Sequence, residues 1–227
     1  MRDILQRKYA NYVLKPFLKW YLKKDRTSKV NGLTLNVKTG VFHPAYFFSS
    51  TFFSEFITQL DLKNKTFLDV GCGSGILALM AYNKGGRVTA LDISWQAVQN
   101  TKDNFRLNFI NIEDDFEVIQ SDLFGSLQKQ KFDVIAINPP YFFKAPSNEG
   151  EYAWNCGENG EYFYELFGEL QKVCHKGTEV YMILAENCDI GRISKLAANS
   201  NIQLELADQR KIKWEHNYIY KLNISKV

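Results

Sequence analysis

A glycine-rich turn between an apolar strand and a helix constrains the fold of this chain more than any other feature. Gly71-Cys72-Gly73-Ser74-Gly75 directly follows the apolar run Phe67–Val70. A tight strand-to-helix connection needs left-handed backbone, which glycine adopts readily, and bare backbone lets a ligand come close. Ile76 stands where a dinucleotide-binding fingerprint has its third glycine, so a dehydrogenase is disfavoured. We expect an α/β domain that binds a ligand at this turn.

Strand and helix patterns alternate through most of the chain. Predicted strands are Phe67–Val70, Arg87–Leu91, Phe116–Gln120, Phe132–Ile137 and Glu179–Leu184, and predicted helices are Ser50–Leu60, Ile76–Tyr82, Ser94–Phe105, Tyr162–Val173 and Ile190–Ala198. Such alternation is typical of a parallel sheet with helices on both faces. The last two predicted strands, Ile202–Leu206 and Tyr218–Ile224, have no helix between them. They predict a terminal hairpin with one antiparallel strand.

Length and composition indicate one globular domain with an appendage. The 227 residues are 45% hydrophobic and 15% aromatic, enough for a sizeable core. The four cysteines form no CxxC pair, so we expect free thiols, a reducing cytoplasm and no metal site. No apolar run approaches the roughly 20 residues of a membrane-spanning helix. We divide the chain into an N-terminal extension, residues 1–40, and a main domain, residues 41–227.

The extension is strongly basic. Residues 1–29 carry nine Lys or Arg and two acidic residues, a net charge of +7, and the rest of the chain is net −4. Apolar and aromatic side chains recur at helical spacing through residues 1–24, and residues 30–37 predict a short strand or a hairpin around Asn31-Gly32. A basic aromatic helix can bind phosphates and stack on bases, dock a partner, or present a solvated face. All three possibilities remain open.

Polar residues follow the predicted strands at their carboxyl ends, where α/β sheets bind ligands. Asp69 precedes the glycine turn and can orient it or accept a hydrogen bond from an ammonium group. Asp92, after the second strand, can accept from both hydroxyls of a ribose, and Asp122, after the third, from an adenine amino group. Ile93 and Leu123 could pack on the two faces of the base. These positions predict a nucleoside-type ligand.

The fourth strand ends in Asn138-Pro139-Pro140-Tyr141. A residue before proline is held extended, and the two prolines offer carbonyls but no N–H. The Asn138 side-chain oxygen and a proline carbonyl can together accept both hydrogens of an NH2 group, while Tyr141 stacks on a planar amide or base. Positioning of this kind can contribute about 7–11 kcal/mol, so no general-base histidine is needed. The corner predicts transfer of a methyl group to a planar NH2.

The glycine turn, the aspartates and this tetrapeptide together resemble the class I S-adenosylmethionine-dependent methyltransferases over about residues 66–225. The resemblance implies an αβα sandwich: a mostly parallel seven-stranded sheet with an antiparallel terminal hairpin. It also implies S-adenosylmethionine as cofactor and Asn138, Pro139, Pro140 and Tyr141 as the catalytic corner. The implied cofactor-binding residues are Asp69, Gly71, Cys72, Gly73, Gly75, Asp92, Ile93, Asp122, Leu123 and Asn138.

Two branches of such enzymes share the tetrapeptide: adenine-N6 methyltransferases of DNA and RNA, and HemK-type protein-glutamine N5-methyltransferases. The second branch modifies the Gly-Gly-Gln loop of release factors or a ribosomal-protein glutamine. Ala153–Gly160, followed by Phe163 and Phe167, is similar to the loop that borders the acceptor pocket in HemK-type enzymes, although Cys156 stands where they usually have a glycine. This loop favours a protein glutamine, whereas the basic extension favours RNA or DNA. A non-catalytic nucleotide- or RNA-binding module is a further alternative, which the intact corner disfavours.

The segment Val41–Ser50 occupies the place of a substrate-side and cofactor-lid segment in such enzymes. Tyr46 or Phe47 could cover the sulfonium of the cofactor. The segment lacks the acidic and arginine residues that such enzymes usually have there.

Overall fold

A seven-stranded sheet forms the centre of the molecule. The computed structural model describes residues 24–39, 41, 48–109, 115–212 and 215–225. The strands are β1 (Arg26–Val30), β2 (Leu33–Val37), β3 (Thr66–Val70), β4 (Arg87–Asp92), β5 (Phe116–Gln120), β6 (Phe132–Ile137), β7 (Cys174–Ala185), β8 (Ile202–Ile212) and β9 (Glu215–Ile224). The sheet order is β5-β4-β3-β6-β7-β9-β8, and β9 is antiparallel to both of its neighbours. The predicted fold, including the reversed terminal hairpin, is confirmed.

Helices cover both faces of this sheet. They are α1 (Phe48–Gln59), α2 (Ile76–Asn83), α3 (Trp95–Asn108), α4 (Glu161–Glu169) and α5 (Ile190–Asn199), with 3-10 turns at Glu149–Ala153 and Leu170–Val173. One apolar cluster joins the sheet to α1 and α2, and a second joins its other face to α4 and α5. The helix predicted over Tyr162–Val173 has the right extent, but its last turn tightens from α to 3-10 geometry.

Strand β7 begins five residues earlier than the sequence pattern predicts. Its register with β6 shifts between the pairs Phe132↔Cys174 and Val134↔Glu179. The Thr178 hydroxyl donates to the Phe132 carbonyl at 2.7 Å and accepts from the His175 N–H at 2.8 Å, which stabilises the irregular stretch. The polar residues of this bulge carry no period-two pattern, so sequence periodicity did not reveal them as strand.

The predicted hairpin in the N-terminal extension is present as β1 and β2. Asn31 and Gly32 have φ values of 49° and 85°, the pair of positive angles that a type I′ turn requires. Val30, Leu33, Leu35 and Val37 pack into the core on the α1 and α2 side. The helix predicted for residues 1–24 lies outside the described residues apart from its last position.

Three asparagines of α3, the asparagine ladder, hold the hairpin against the domain. They are Asn100, Asn104 and Asn108, spaced four residues apart on one helix face. Their side chains accept from the N–H groups of Lys38 (3.2 Å), Asn36 (2.8 Å) and Thr34 (2.8 Å), and two of them donate to the carbonyls of Asn36 (2.6 Å) and Thr34 (2.7 Å). Four residues of helix rise by about 6 Å and two residues of strand by about 6.7 Å, so the two repeats nearly match. The side-chain amides thus bond the edge of β2 as a neighbouring strand would.

Candidate active site

The glycine turn is fixed by backbone hydrogen bonds to the adjacent strand. The N–H groups of Gly71 and Cys72 both donate to the Leu91 carbonyl, at 2.9 and 2.8 Å. Gly71 has φ 77°, and a Cβ built on it would meet no atom within 4 Å. This open space beside bare backbone is what a bound cofactor needs, so the turn fits the predicted ligand. At Gly75, by contrast, a Cβ would lie 2.7 Å from Thr101, which keeps α2 close to α3.

Side chains of α3 form hydrogen bonds to the glycine turn. The Thr101 hydroxyl lies 3.1 Å from the Gly73 carbonyl and 3.3 Å from the Cys72 sulfur, and the Asn104 amide donates to the Ser74 carbonyl at 2.9 Å. Thr101 and Asn104 are fully buried. Burial raises the pKa of the Cys72 thiol well above its ordinary value, so this side chain is neutral packing beneath the turn. Sequence reasoning missed Thr101 and Asn104; the available signal was small polar residues on the buried stripe of an amphipathic helix.

Asp92 binds the turn and the start of α3 together. One carboxylate oxygen accepts from the Gly73 N–H and the other from the Ser94 N–H, both at 2.9 Å. Ser94 caps α3 by accepting from Ala97, as predicted. Burial raises the pKa of Asp92 despite these two bonds. Each oxygen retains further acceptor capacity, so the carboxylate is placed and oriented to accept hydroxyl groups.

Asp69 is almost completely buried under the turn. Its carboxylate accepts from the Ala78 N–H at 3.1 Å, which joins β3 to α2. Burial raises the pKa of Asp69 to about 7, and the nearby charge of Asp92 adds to the rise. A carboxyl group with this pKa changes protonation near neutral pH.

The predicted adenine-side residues differ in exposure. Ile93 is 45% exposed at the end of β4, so its side chain is free to cover a base, and Asp122 is also exposed. Leu123 belongs to the apolar cluster under α4 and has left-handed backbone with φ 42°, an unfavourable conformation for leucine. The adenine-side roles of all three remain predictions.

Asn138 stands at the end of β6 with its side chain toward α1. Its Nδ2 donates to the Ser50 hydroxyl at 3.1 Å. Its Oδ1 accepts no hydrogen bond from any residue that the structure describes, so it is available to accept from an NH2 group. Pro139 is buried and Pro140 half-buried, which makes the corner rigid. Sequence reasoning did not identify Ser50, which fixes the orientation of the Asn138 amide.

Tyr141, the last residue of the corner, packs against the apolar cluster under α4 and α5. Its ring meets Phe142 edge-on with centroids 4.9 Å apart. Burial raises the pKa of Tyr141, and the nearby Cys188 and Glu215 add to the rise. Cys188, which follows β7, and Glu215, at the start of β9, are therefore near Tyr141.

The loop 153–160 is hydrogen-bonded to the residue after the corner. Phe142 donates to the Trp154 carbonyl at 2.9 Å, and its own carbonyl accepts from the Cys156 N–H at 2.9 Å. The left-handed positions of this loop are Gly157 (φ 89°) and Gly160 (φ 83°), whereas Cys156 is not among the residues with positive φ. Cysteine therefore replaces the usual glycine here without backbone strain.

Tyr162 is a further residue at the site that the sequence did not reveal. It follows the loop in α4, and its ring lies edge-on to Phe163 at 5.5 Å. Burial raises the pKa of its hydroxyl, with Asp92 and Asp122 contributing next. Its hydroxyl is thus near both predicted nucleoside carboxylates.

Other predicted features lie partly outside the described residues. Ser50 belongs to the predicted lid segment, but Tyr46 and Phe47 fall in the stretch that is not described. Among the described residues the four cysteines are free, and no group of His, Cys, Asp and Glu could hold a metal ion. No helix in the described ranges is long and apolar enough to cross a membrane.

Comparison with known proteins identifies the family. Residues 32–203 match the methyltransferase small domain. The chain belongs to this family. A structure of a provisionally identified methyltransferase in complex with S-adenosylhomocysteine superposes with a TM-score of 0.64 at 14% identity, covering 87% of this chain and 56% of the other. The predicted S-adenosylmethionine-dependent methyltransferase domain and its cofactor are confirmed at this level.

Two relatives differ in the acceptor that their names give. A protein of Methanocaldococcus jannaschii, provisionally named protein N5-glutamine methyltransferase, is 35% identical over 126 residues, 50% of this chain and 60% of the relative. Ribosomal RNA large subunit methyltransferase G of Pseudoalteromonas translucida is 26% identical over 134 residues, 58% of this chain and 32% of the relative. The chain therefore spans less than two thirds of the curated relatives that it matches.

Proposed function

We propose that this methyltransferase modifies the side-chain NH2 of a protein glutamine, in a release factor or a ribosomal protein. The observation that carries the proposal is the pair of hydrogen bonds between Phe142 and the loop 153–160. They join the Asn138–Tyr141 corner to the segment that is similar to the acceptor-side loop of HemK-type enzymes. The named activity of the Methanocaldococcus jannaschii relative supports the same acceptor.

The residues of the corner fit the requirements of an amide nitrogen. S-adenosylmethionine supplies an electrophilic methyl group when bound. Asn138 Oδ1 and the Pro139 carbonyl accept the two hydrogens of the NH2, which turns the nitrogen lone pair toward the methyl carbon. Methyl transfer would carry the positive charge of the cofactor to the nitrogen, which would then release one proton to water while Asn138 and Pro139 hold it in place. Because an amide is a weak nucleophile, orientation by these two acceptors carries much of the rate acceleration.

On the cofactor side, the glycine turn and Asp92 hold the nucleoside. Asp92 accepts from the ribose hydroxyls while it keeps its bonds to Gly73 and Ser94. Asp69 accepts from the ammonium group when it is ionised. Ile93 covers one face of the adenine, and Asp122 accepts from its amino group.

The charge around the acceptor side favours protein over nucleic acid. Residues 142–161 contain four glutamates and one lysine, a net charge of −3. Nucleic-acid binding depends on cationic contacts to phosphates, which this acidic stretch would oppose. An uncharged glutamine in a polypeptide loop carries no such repulsion.

Adenine N6 of RNA or DNA is the second candidate. The net charge of +7 in residues 1–29 and the named ribosomal-RNA activity of the Pseudoalteromonas relative favour it. The basic extension would then hold the phosphates away from the acidic loop.

Labelled methyl transfer decides between the two. The purified protein is incubated with labelled S-adenosylmethionine and, separately, with release factors from the same genome, ribosomal proteins and total RNA. We expect label in a protein, and its loss when the Gly-Gly-Gln glutamine of a labelled release factor is replaced by asparagine. Asn138→Ala is the enzyme control. Label that enters RNA and disappears with nuclease would contradict the glutamine proposal.

A further inference from the structure

The polar side chain of Asn217 is completely buried and makes no hydrogen bond to any residue that the structure describes. Its exposed fraction is 0%. Neither its Nδ2 nor its Oδ1 has a partner among the described residues. Buried amides are almost always bonded, because an unsatisfied one loses its hydration without compensation. Asn104, equally buried, makes two bonds with its side chain. The unsatisfied side chain of Asn217 therefore requires a functional explanation.

The strand register places Asn217 on the same face of the sheet as Asn138. Ile137 is level with Met182, so Asn138 follows at the level of Ile183. Ile183 pairs with Ile219, and Ala185, the last residue of β7, pairs with Asn217. Paired residues and residues two apart share one face. Asn138 contacts Ser50 of α1, so both asparagines point to the α1 side.

Asn217 is therefore close to the acceptor corner. It lies two strands away, about 10 Å across the sheet, and two residues, about 7 Å, nearer the carboxyl edge. An extended peptide of about four residues spans that separation. A main chain that places its side-chain NH2 at Asn138 would reach Asn217 with a neighbouring peptide group.

Electrostatics also link the start of β9 to the corner. The charge of Glu215, two residues before Asn217, helps to raise the pKa of Tyr141. Glu215 itself has a raised pKa, caused first by burial and then by Glu186. Beside Asn217 in the register, Arg210 of β8 lies over the Phe52 ring at 4.4 Å and pairs with Glu55 of α1. Asn217 thus lies between the Asn138–Tyr141 corner and Arg210, which holds α1 to the sheet.

We propose that Asn217 binds the main chain of the acceptor polypeptide next to the target glutamine. Its Oδ1 accepts from one peptide N–H and its Nδ2 donates to one carbonyl, the complement that a primary amide offers to a peptide group. Because Asn217 is fully buried, the side chains that cover it must move when the acceptor binds. This inference rests on the proposed glutamine activity and adds a second contact point to it.

The test is Asn217→Leu, which keeps the size of the side chain and removes its polar atoms. Because an unsatisfied group is removed, the melting temperature should stay or rise. S-adenosylmethionine affinity and kcat should stay near wild type, while KM for the release factor should rise by about tenfold or more. Ile219→Val, on the same strand and face, is the matched control and should leave KM unchanged.

A direct measurement of binding does not depend on the Asn217→Leu variant. The side-chain amide resonance of Asn217, assigned with Asn217→Ser, should shift when release factor is added to the protein with S-adenosylhomocysteine. An unchanged resonance together with a KM within about twofold of wild type would overturn the inference and leave the glutamine activity standing. No transfer to any protein by the wild type, or transfer to RNA instead, would overturn both.

Discussion

The cofactor turn and the acceptor corner lie on the same edge of the sheet, but their polar groups are held differently. Asp69, Asp92 and the carbonyls of Gly73 and Ser74 are all bonded within the chain. In the part of the chain that the structure describes, the side chain of Asn138 makes one hydrogen bond, to Ser50, and that of Asn217 makes none. The turn is formed before any ligand arrives, whereas the corner still has acceptors and donors to satisfy. The difference predicts a preformed cofactor site and an acceptor site that is completed on binding.

The largest effect is expected at the corner. Asn138→Ala removes an acceptor of the NH2 hydrogens and should lower the single-turnover transfer rate by roughly 1,000-fold, as loss of a positioned transition-state contact does elsewhere. S-adenosylmethionine affinity, measured by calorimetry, should not change. Ser50→Ala is the companion variant, and its smaller loss would report the orienting bond alone. A normal rate in Asn138→Ala would remove this residue from the acceptor site.

At the turn, Asp92→Ala should act on the cofactor. It removes the proposed acceptor of the ribose hydroxyls and also leaves the Gly73 and Ser94 N–H groups without their partner. Hydrogen bonds to charged groups are worth about 1.5–3 kcal/mol, so the Kd for S-adenosylmethionine should rise about 100-fold. Calorimetry of the folded variant measures it. Ser94→Ala keeps the carboxylate and tests whether the loss belongs to Asp92; unchanged affinity in Asp92→Ala would break the contrast between the two sites.

The preformed state of the turn depends on α3. Asn104→Ala leaves the Ser74 carbonyl and the Asn36 N–H unsatisfied and should lower the free energy of unfolding by about 2 kcal/mol, with a weaker Kd for the cofactor. Asn108→Ala is the matched control, because Asn108 bonds β2 but does not contact the turn. It should destabilise the protein in urea without changing cofactor affinity. Equal loss of affinity in both variants would mean that general destabilisation, and no specific support of the turn, is responsible.

The smallest effect concerns pH. The pKa of Asp69 is raised to about 7, so its carboxyl is neutral below that pH and must lose a proton to accept from an ammonium group. Cofactor affinity should therefore weaken as pH falls, by about tenfold between pH 8 and pH 6. Asp69→Asn should flatten the profile. A profile that keeps its slope in Asp69→Asn would assign the titration to another group.

The sequence predicted the frame of the molecule well because its signals are local. Phe132–Ile137 is a strand with the predicted bounds, and Ser94 is the predicted cap, since a buried apolar run and a capping serine act within a few residues. The hairpin turn at Asn31-Gly32 was equally readable, because left-handed backbone selects these residues. The family resemblance also predicted that the loop 153–160 lies beside the corner, and in the structure it is hydrogen-bonded to Phe142.

The parts that escaped prediction depend on partners far apart in the chain. Ser50 meets Asn138 across 88 positions, and Asn36 meets Asn104 across 68. The last residues of β8 and the first residues of β9 are polar on the exposed face of the sheet. The alternation of apolar and polar residues therefore does not extend over the full length of these strands. Sequence analysis did not single out Asn217, because its burial and its register with Ala185 depend on the folded sheet.

The asparagine ladder has a consequence for how this chain can change length. Its rungs repeat every four residues along α3 and every two along β2, and the two repeats differ by about 0.7 Å per rung. A single inserted residue in either segment would rotate or invert the following side chains and break the match. Viable insertions near the hairpin must therefore fall in the turn at Asn31-Gly32 or beyond the ladder, whereas α3 and β2 can lengthen only together. Although the bonded residues of the two segments are 62 to 74 positions apart in the chain, the lengths of α3 and β2 are coupled.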